Sequence, residues 1–183
     1  MGAGGRIYLW WVGERAVEPT MELARTQLAK VYGREVALGL RPGRPADAYD
    51  PRRRQVSSSR LLGWLLEGAP EDAERLVGVT DEDLFIPVLT FVFGEAQLEG
   101  RAAVVSTARL SPQPGAPGGA GLLGARLSKE CVHELGHTYG LLHCERAQCA
   151  MSRSASVFAV DVKAPVLCGD CRARLNELRH RGG

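Results

Sequence analysis

The run His133-Glu134-Leu135-Gly136-His137-Thr138-Tyr139-Gly140-Leu141-Leu142-His143 concentrates the side chains most able to do chemistry. On a helix, positions i and i+4 share a face, so His133 and His137 can present two imidazoles to one metal ion. Glu134, adjacent to the first, could take the proton from a water activated there as it attacks a carbonyl. A third ligand six residues beyond His137 requires the chain to turn. Gly140 stands where glycine tolerates positive φ at little cost. His143 would then complete three protein ligands and leave one position of a tetrahedral zinc open, as a catalytic site needs. A bare His-Glu-x-x-His is a weak signal, because two satisfied histidines on a polar helix face look the same. Gly140 and His143 strengthen it, each with its own geometric reason.

The five cysteines carry a second pattern. Cys144 follows His143 directly, Cys149 comes after four intervening residues, and Cys168-Gly169-Asp170-Cys171 adds a close pair. Two such pairs bring four thiolates to one tetrahedral zinc and close it to substrate, which makes the second site structural. Cys131, two residues before His133, remains as a small buried apolar residue on the same helix. Four thiolates and two Zn²⁺ cancel in charge, but not locally. The cysteine site carries −2, whereas three neutral histidines leave the other ion its full +2, which acidifies water toward a pKa of about 7.

These groups need a scaffold, and the preceding 120 or so residues have the patterns to build one. Ile7–Val12 reads as a buried strand and Glu18–Tyr32 as a helix with Leu23, Leu28 and Val31 inward, stopped by Gly33. A strand over Glu35–Leu40 runs into the Arg41-Pro42-Gly43-Arg44-Pro45 loop. The spacing of Val56, Leu61, Leu62, Leu65 and Leu66 predicts a helix over Arg54–Glu67. Arg75–Val79, Leu89–Phe93 and Ala102–Thr107 follow as apolar stretches of strand character, and Thr80-Asp81-Glu82-Asp83 has the form of a helix N-cap. Ser111–Gly121, with its prolines and glycines, is a loop and a candidate gate before the histidine helix. The order predicts a mixed α/β sheet covered by helices.

Composition narrows the function. Of 183 residues, 45% are hydrophobic, and 23 basic against 21 acidic residues leave a formal +2. That balance argues against a protein that coats nucleic acid or an anionic membrane. The six-residue Ile7–Val12 run is too short for an export signal or a membrane span, which predicts a cytoplasmic, reducing setting in which clustered cysteines ligate metal.

The histidine motif followed directly by Cys144, then Cys149-Ala150-Met151, then Cys168-Gly169-Asp170-Cys171, resembles the archaemetzincins, metzincin-like zinc metalloproteases. The similarity is specific over Glu130–Cys171 and looser over Gly78–Leu84 and Phe91–Ala96. It implies His133, His137 and His143 on catalytic zinc, Glu134 as base, Cys144, Cys149, Cys168 and Cys171 on structural zinc, and Met151 in a Met-turn beneath the site. Sixteen residues separate Met151 from Cys168, one fewer than the family pattern, a loop change that leaves the ligands alone. The family implies a compact metzincin-like zincin fold: a mixed twisted sheet with covering helices, one domain over 1–183, and a small C-terminal subdomain after Gly140. An edge strand would align extended peptide, either Leu89–Phe93 or Ala102–Thr107.

Three function classes follow. The first is a monomeric, two-zinc peptidase acting on peptides or small proteins, endopeptidase or aminopeptidase. The second is a zinc-ribbon-like binding module with a basic tail (Arg146, Arg153, Lys163, Arg172, Arg174, Arg179 and Arg181), disfavoured because aromatic residues for base stacking are scarce there. The third is a fold that keeps its zincs with vestigial activity, which the full set of hydrolytic residues argues against.

Overall fold

The computed structural model describes residues 5–14, 18–113 and 117–181. Alternation along strand β1 (Arg6–Val12) sends Ile7, Leu9 and Trp11 to one side and Val12 to the other, and both sides are covered. Helix α1 (Glu18–Tyr32) carries the chain back, so that β2 (Val36–Arg41) pairs parallel to β1 with Ile7 opposite Val36. A short antiparallel pair, β3 (Tyr49–Asp50) and β4 (Gln55–Ser57), leads into α2 (Ser58–Glu67). β5 (Ala73–Thr80) returns to the other side of β1, and β6 (Leu84–Phe85) adds to β4. β7 (Gly94–Ala96) and β8 (Ala102–Ser106) pair antiparallel, with β8 parallel to β5. The main sheet therefore has the order β2-β1-β5-β8-β7, and a smaller one the order β3-β4-β6. Helices α3 (Gly119–Thr138), α4 (Val157–Val162) and α5 (Gly169–Arg181) follow.

Two apolar clusters divide the work. On one face of the main sheet, Ile7, Leu9, Trp11, Val77, Val79, Ala103 and Val105 meet Leu28 and Val31 of α1 and Leu127, Cys131, Val132 and Leu135 of α3. On the opposite face, Val12, Leu76, Ala102 and Val104 meet Leu61, Leu62 and Leu65 of α2 and Val56 and Leu84 of the small sheet. Burying one such aliphatic side chain contributes about 1.5–3 kcal/mol. The first cluster thus fixes α3 firmly against the sheet. No helix among the described residues is long and apolar enough to cross a membrane.

The predicted mixed α/β architecture is present, with five local corrections. Leu23 is half exposed: it lies at the rim of α1 with its Cδ1 over Gly124, while Leu28 and Val31 are buried. The helix predicted from Arg54 starts at Ser58, because Val56 is buried as a strand residue between Tyr49 and Leu84, and Ser57 caps the helix by accepting from the Arg60 N–H. Thr80 caps no helix; it ends β5, and its hydroxyl accepts from the Glu82 N–H in a local turn. Leu89–Phe93 is not a strand, apart from a single bridge between Val92 and Leu84. The Ser111–Gly121 loop ends sooner, since α3 begins at Gly119 after Gly118 in the left-handed region, and its residues 114–116 lie outside the described residues.

Candidate active site

The apolar stripe that seats α3 on the sheet brings its last turns, themselves largely buried, beside β7. There the helix stops in a Schellman turn. The Leu141 N–H donates to the Gly136 carbonyl at 3.0 Å and the Gly140 N–H to the His137 carbonyl at 2.9 Å. Gly140 has φ +91°, and a Cβ on it would meet the Glu99 side chain at 3.0 Å, so the turn requires glycine twice over. The chain leaves that turn toward His143.

His133, His137 and His143 converge. Their ring centroids lie 4.6, 5.3 and 5.0 Å apart, and one nitrogen from each falls within 4.8 Å of the others. Nδ1 of His133 is 2.8 Å from the Ala150 carbonyl, and Nδ1 of His137 is 2.7 Å from the Leu141 carbonyl. Each Nδ1–H donates to its carbonyl, so each Nε2 offers a lone pair, and these two Nε2 atoms are 3.1 Å apart. Tetrahedral zinc with bonds near 2.0–2.1 Å places its nitrogens about 3.3–3.4 Å apart, so the donor set fits that ion. Burial lowers the pKa of all three imidazoles, His133 most, which keeps them neutral as ligands must be.

Glu134 is buried beside them, and burial together with the neighbouring Glu130 raises its carboxyl well above the usual range. Gly94 of β7 makes room for it: a Cβ there would lie 2.7 Å from Glu134 Cγ and 2.7 Å from the Val104 carbonyl. The resulting cavity, about 570 Å³, is lined by Leu89–Gly94, Glu130, His133, Glu134, His143 and Arg153–Ala155. A cavity of equal volume opens past the ends of β1 and β5, beside Trp11, Glu14, Arg44 and Asp81. It contains none of the histidines, whereas His133, Glu134 and His143 line the first.

Met151 is fully buried below α3. A Cβ on Gly136 would sit 2.4 Å from its sulfur and 3.0 Å from its methyl carbon. The carbonyl of Met151 accepts from the Cys144 N–H at 2.9 Å, which ties the residue beneath the site to the segment carrying His143. Gly136→Ala forces these atoms apart and is expected to cost about 1–3 kcal/mol, read as a lower midpoint in denaturant unfolding.

The four cysteines gather into a second cluster, with ligand atoms within 4.8 Å of one another. Cys144 Sγ and Cys168 Sγ are 3.8 Å apart, the edge of a tetrahedron with Zn–S bonds of about 2.3 Å. Backbone N–H groups point at the sulfurs: Cys168 to Cys149 Sγ at 3.3 Å and Arg146 to Cys144 Sγ at 3.4 Å. Burial opposes ionisation of Cys168, yet the Cys171 backbone N–H and the neighbouring thiols hold it down to about 7. Cys131 takes no part. It is wholly buried in the core, and burial raises its thiol pKa, as expected of an inert packing residue.

The basic tail is largely occupied inside the molecule. Arg172 donates to the Val31 carbonyl, Arg179 stacks 4.7 Å from the Tyr139 ring, and Arg146 and Arg174 pair with Asp170 and Glu177. Two residues at the site escaped sequence reasoning. Glu130 marked only the start of the matching stretch and Lys163 only part of the tail, yet the two form a buried ion pair at 3.0 Å beside His133. The available signal was that Glu130 precedes Glu134 by four, on the same helical face.

Comparison with known proteins identifies the family. The sequence model of peptidase family M54 matches residues 48–177. Archaemetzincin from Methanopyrus kandleri is 44% identical over 140 residues, 76% of each chain. Archaemetzincin from Methanocaldococcus jannaschii is 41% identical over 139 residues, 75% of this chain and 74% of that one. Among solved structures, M. kandleri archaemetzincin superposes with a TM-score of 0.87 and 32% identity over 99% of both chains. Archaemetzincin from Archaeoglobus fulgidus, crystallised with malonate, gives 0.78 and 32% over 92% of this chain and 99% of that one. The chain belongs to peptidase family M54 and is a zinc metallopeptidase.

Proposed function

We propose that this peptidase hydrolyses peptide bonds at a zinc site held by His133, His137 and His143, with Glu134 as general base. The observation that carries the reading is the convergence of three imidazoles, two of which line one cavity with the buried Glu134 carboxyl beside a sheet edge. When bound, zinc supplies a Lewis acid that acidifies water and polarises the scissile carbonyl. Glu134 takes the proton of the attacking water and returns it to the leaving amine. β7, rather than Leu89–Phe93 or the interior strand β8, offers the free edge along which extended peptide can pair. Its three-residue length limits that alignment to the residues flanking the cleaved bond.

Arg153 is the one Lys or Arg side chain lining this cavity among the described residues, with Nη2 3.5 Å from His143 Nδ1. We assign it to stabilising negative charge on the carbonyl oxygen in the transition state. Arg153→Met is expected to lower kcat by about 10²-fold with KM little changed, as steady-state kinetics on one peptide would show. A rise in KM alone would make it a binding residue instead.

The Cys144, Cys149, Cys168 and Cys171 cluster is read as a second, structural zinc site that organises a C-terminal subdomain over 141–183, within a single domain spanning the chain. The same reading has the enzyme act as a monomer in the cytoplasm. Digestion of an unbiased peptide library by zinc-loaded protein tests the substrate class. Cleavage inside peptides identifies an endopeptidase, stepwise loss of N-terminal residues an aminopeptidase, and absence of any zinc-dependent cleavage contradicts the reading.

A further inference from the structure

Lys163 and Glu130 form an ion pair that water does not reach, with side chains 0% and 3% exposed and 3.0 Å between Nζ and Oε1. Pairs of this kind are weak contributors to stability, because desolvation offsets most of the attraction. Its position suggests a different use. Lys163 Nζ lies 3.4 Å from Nδ1 of His133, and that Nδ1 donates to the Ala150 carbonyl at 2.8 Å. Ala150 is held in turn by the segment that follows Lys163. Its N–H donates to the Val166 carbonyl at 2.9 Å, and the Ala164 N–H donates to the Gln148 carbonyl at 2.9 Å.

We propose that Glu130 and Lys163 are positioning residues for His133. The pair fastens the 163–166 segment to α3, that segment fixes Ala150, and the Ala150 carbonyl sets the tautomer and ring angle of His133. Ser154 Oγ, 3.4 Å from the same Glu130 oxygen, adds a second tie from the chain just past Met151. The inference rests on His133 being a zinc ligand. It extends that reading by tracing what orients the ligand, since partners behind a metal-bound imidazole commonly change metal affinity 10–100-fold.

Docking of α4 onto α3 has a separate anchor that serves as the control. Arg126 makes a two-pronged contact with Asp161, at 2.8 and 2.7 Å, seven residues and roughly 10 Å along the helix from His133. If Glu130 and Lys163 only glue α4 in place, losing them should resemble losing Arg126.

The test compares Glu130→Gln, the double variant Glu130→Leu with Lys163→Met, and Arg126→Gln. Zn²⁺ affinity is measured by chelator competition, kcat and KM on one peptide, and the thermal midpoint by circular dichroism. We expect both pair variants to weaken Zn²⁺ binding about 10–100-fold and to lower kcat with KM nearly constant. The double variant should keep its thermal midpoint in the presence of saturating zinc, because apolar replacement of a buried pair is often neutral. Arg126→Gln should lower the midpoint and leave zinc affinity within twofold. Zinc affinity within twofold of wild type in Glu130→Gln overturns the proposal, and this holds even if the double variant fails to fold. His133→Ala separates the two readings: unchanged Zn²⁺ affinity there removes His133 as a ligand, whatever the pair does.

Discussion

Glu134→Gln keeps its zinc and its fold and loses turnover by about 10²–10⁴-fold, the range contributed by a positioned general base. The amide has nearly the volume of the carboxylate, so the close fit of Glu134 against Gly94 is kept. It cannot accept a proton. KM should change little, because a general base acts in the transition state rather than in uniform binding of substrate. Metal analysis together with steady-state kinetics reads both halves of this result. Turnover within a few-fold of wild type would remove Glu134 from the mechanism. Loss of zinc along with activity would make it a support of the metal site instead.

Cys149→Ser should have the second large effect, this time on stability. The chain from Cys144 to Cys171 contains little regular structure, only the six residues of α4 and the start of α5. Its buried apolar members, Cys149, Ala150, Met151, Val160 and Leu167, reach the main core as single side chains rather than as a helix face. A metal in the proposed four-cysteine site would hold what packing alone does not, since structural zinc sites contribute folding free energy outright. Losing about 3–5 kcal/mol would lower the thermal midpoint of a chain this size by roughly 10 °C or more. Zinc content should fall as well, and activity with it, since Cys144 adjoins His143 and Cys149 adjoins the Ala150 carbonyl that His133 contacts. Cys131→Ala, which touches no metal cluster, should cost only the small packing loss of one sulfur. Equal midpoints and full zinc content in Cys149→Ser would refute the four-cysteine site.

The two clusters of candidate ligands were legible in the sequence because most of their geometry is local. A one-turn spacing puts His133 and His137 on one helical face, and Gly140 supplies a backbone conformation that few other residues adopt. The cysteine spacings are likewise a short-range code. Legibility failed where tertiary context reuses a local pattern. Val56 belongs to the helical period of Leu61 and Leu65, yet it is satisfied as a strand residue in the small sheet. Leu89–Phe93 is as apolar as a buried strand, but it walls the cleft. Leu89 is half exposed, and Phe91 packs beneath the Arg109 guanidinium at 4.1 Å. Pairing with the main sheet begins only where the Phe93 carbonyl accepts from the Ser106 N–H, and the edge strand proper, three residues long, is too short to announce itself. Glu130 and Lys163 stand 33 residues apart, and no periodicity links them. Only the fold brings them to one imidazole.

A crystal of the zinc-loaded protein, with anomalous differences collected at the zinc absorption edge, tests the central claim most directly. The account predicts two peaks per chain: one bonded to His133, His137 and His143 with an open position facing Glu134, the other enclosed by Cys144, Cys149, Cys168 and Cys171. A single peak, or a histidine peak that lacks one of the three imidazoles or is closed by a fourth protein ligand, would contradict it.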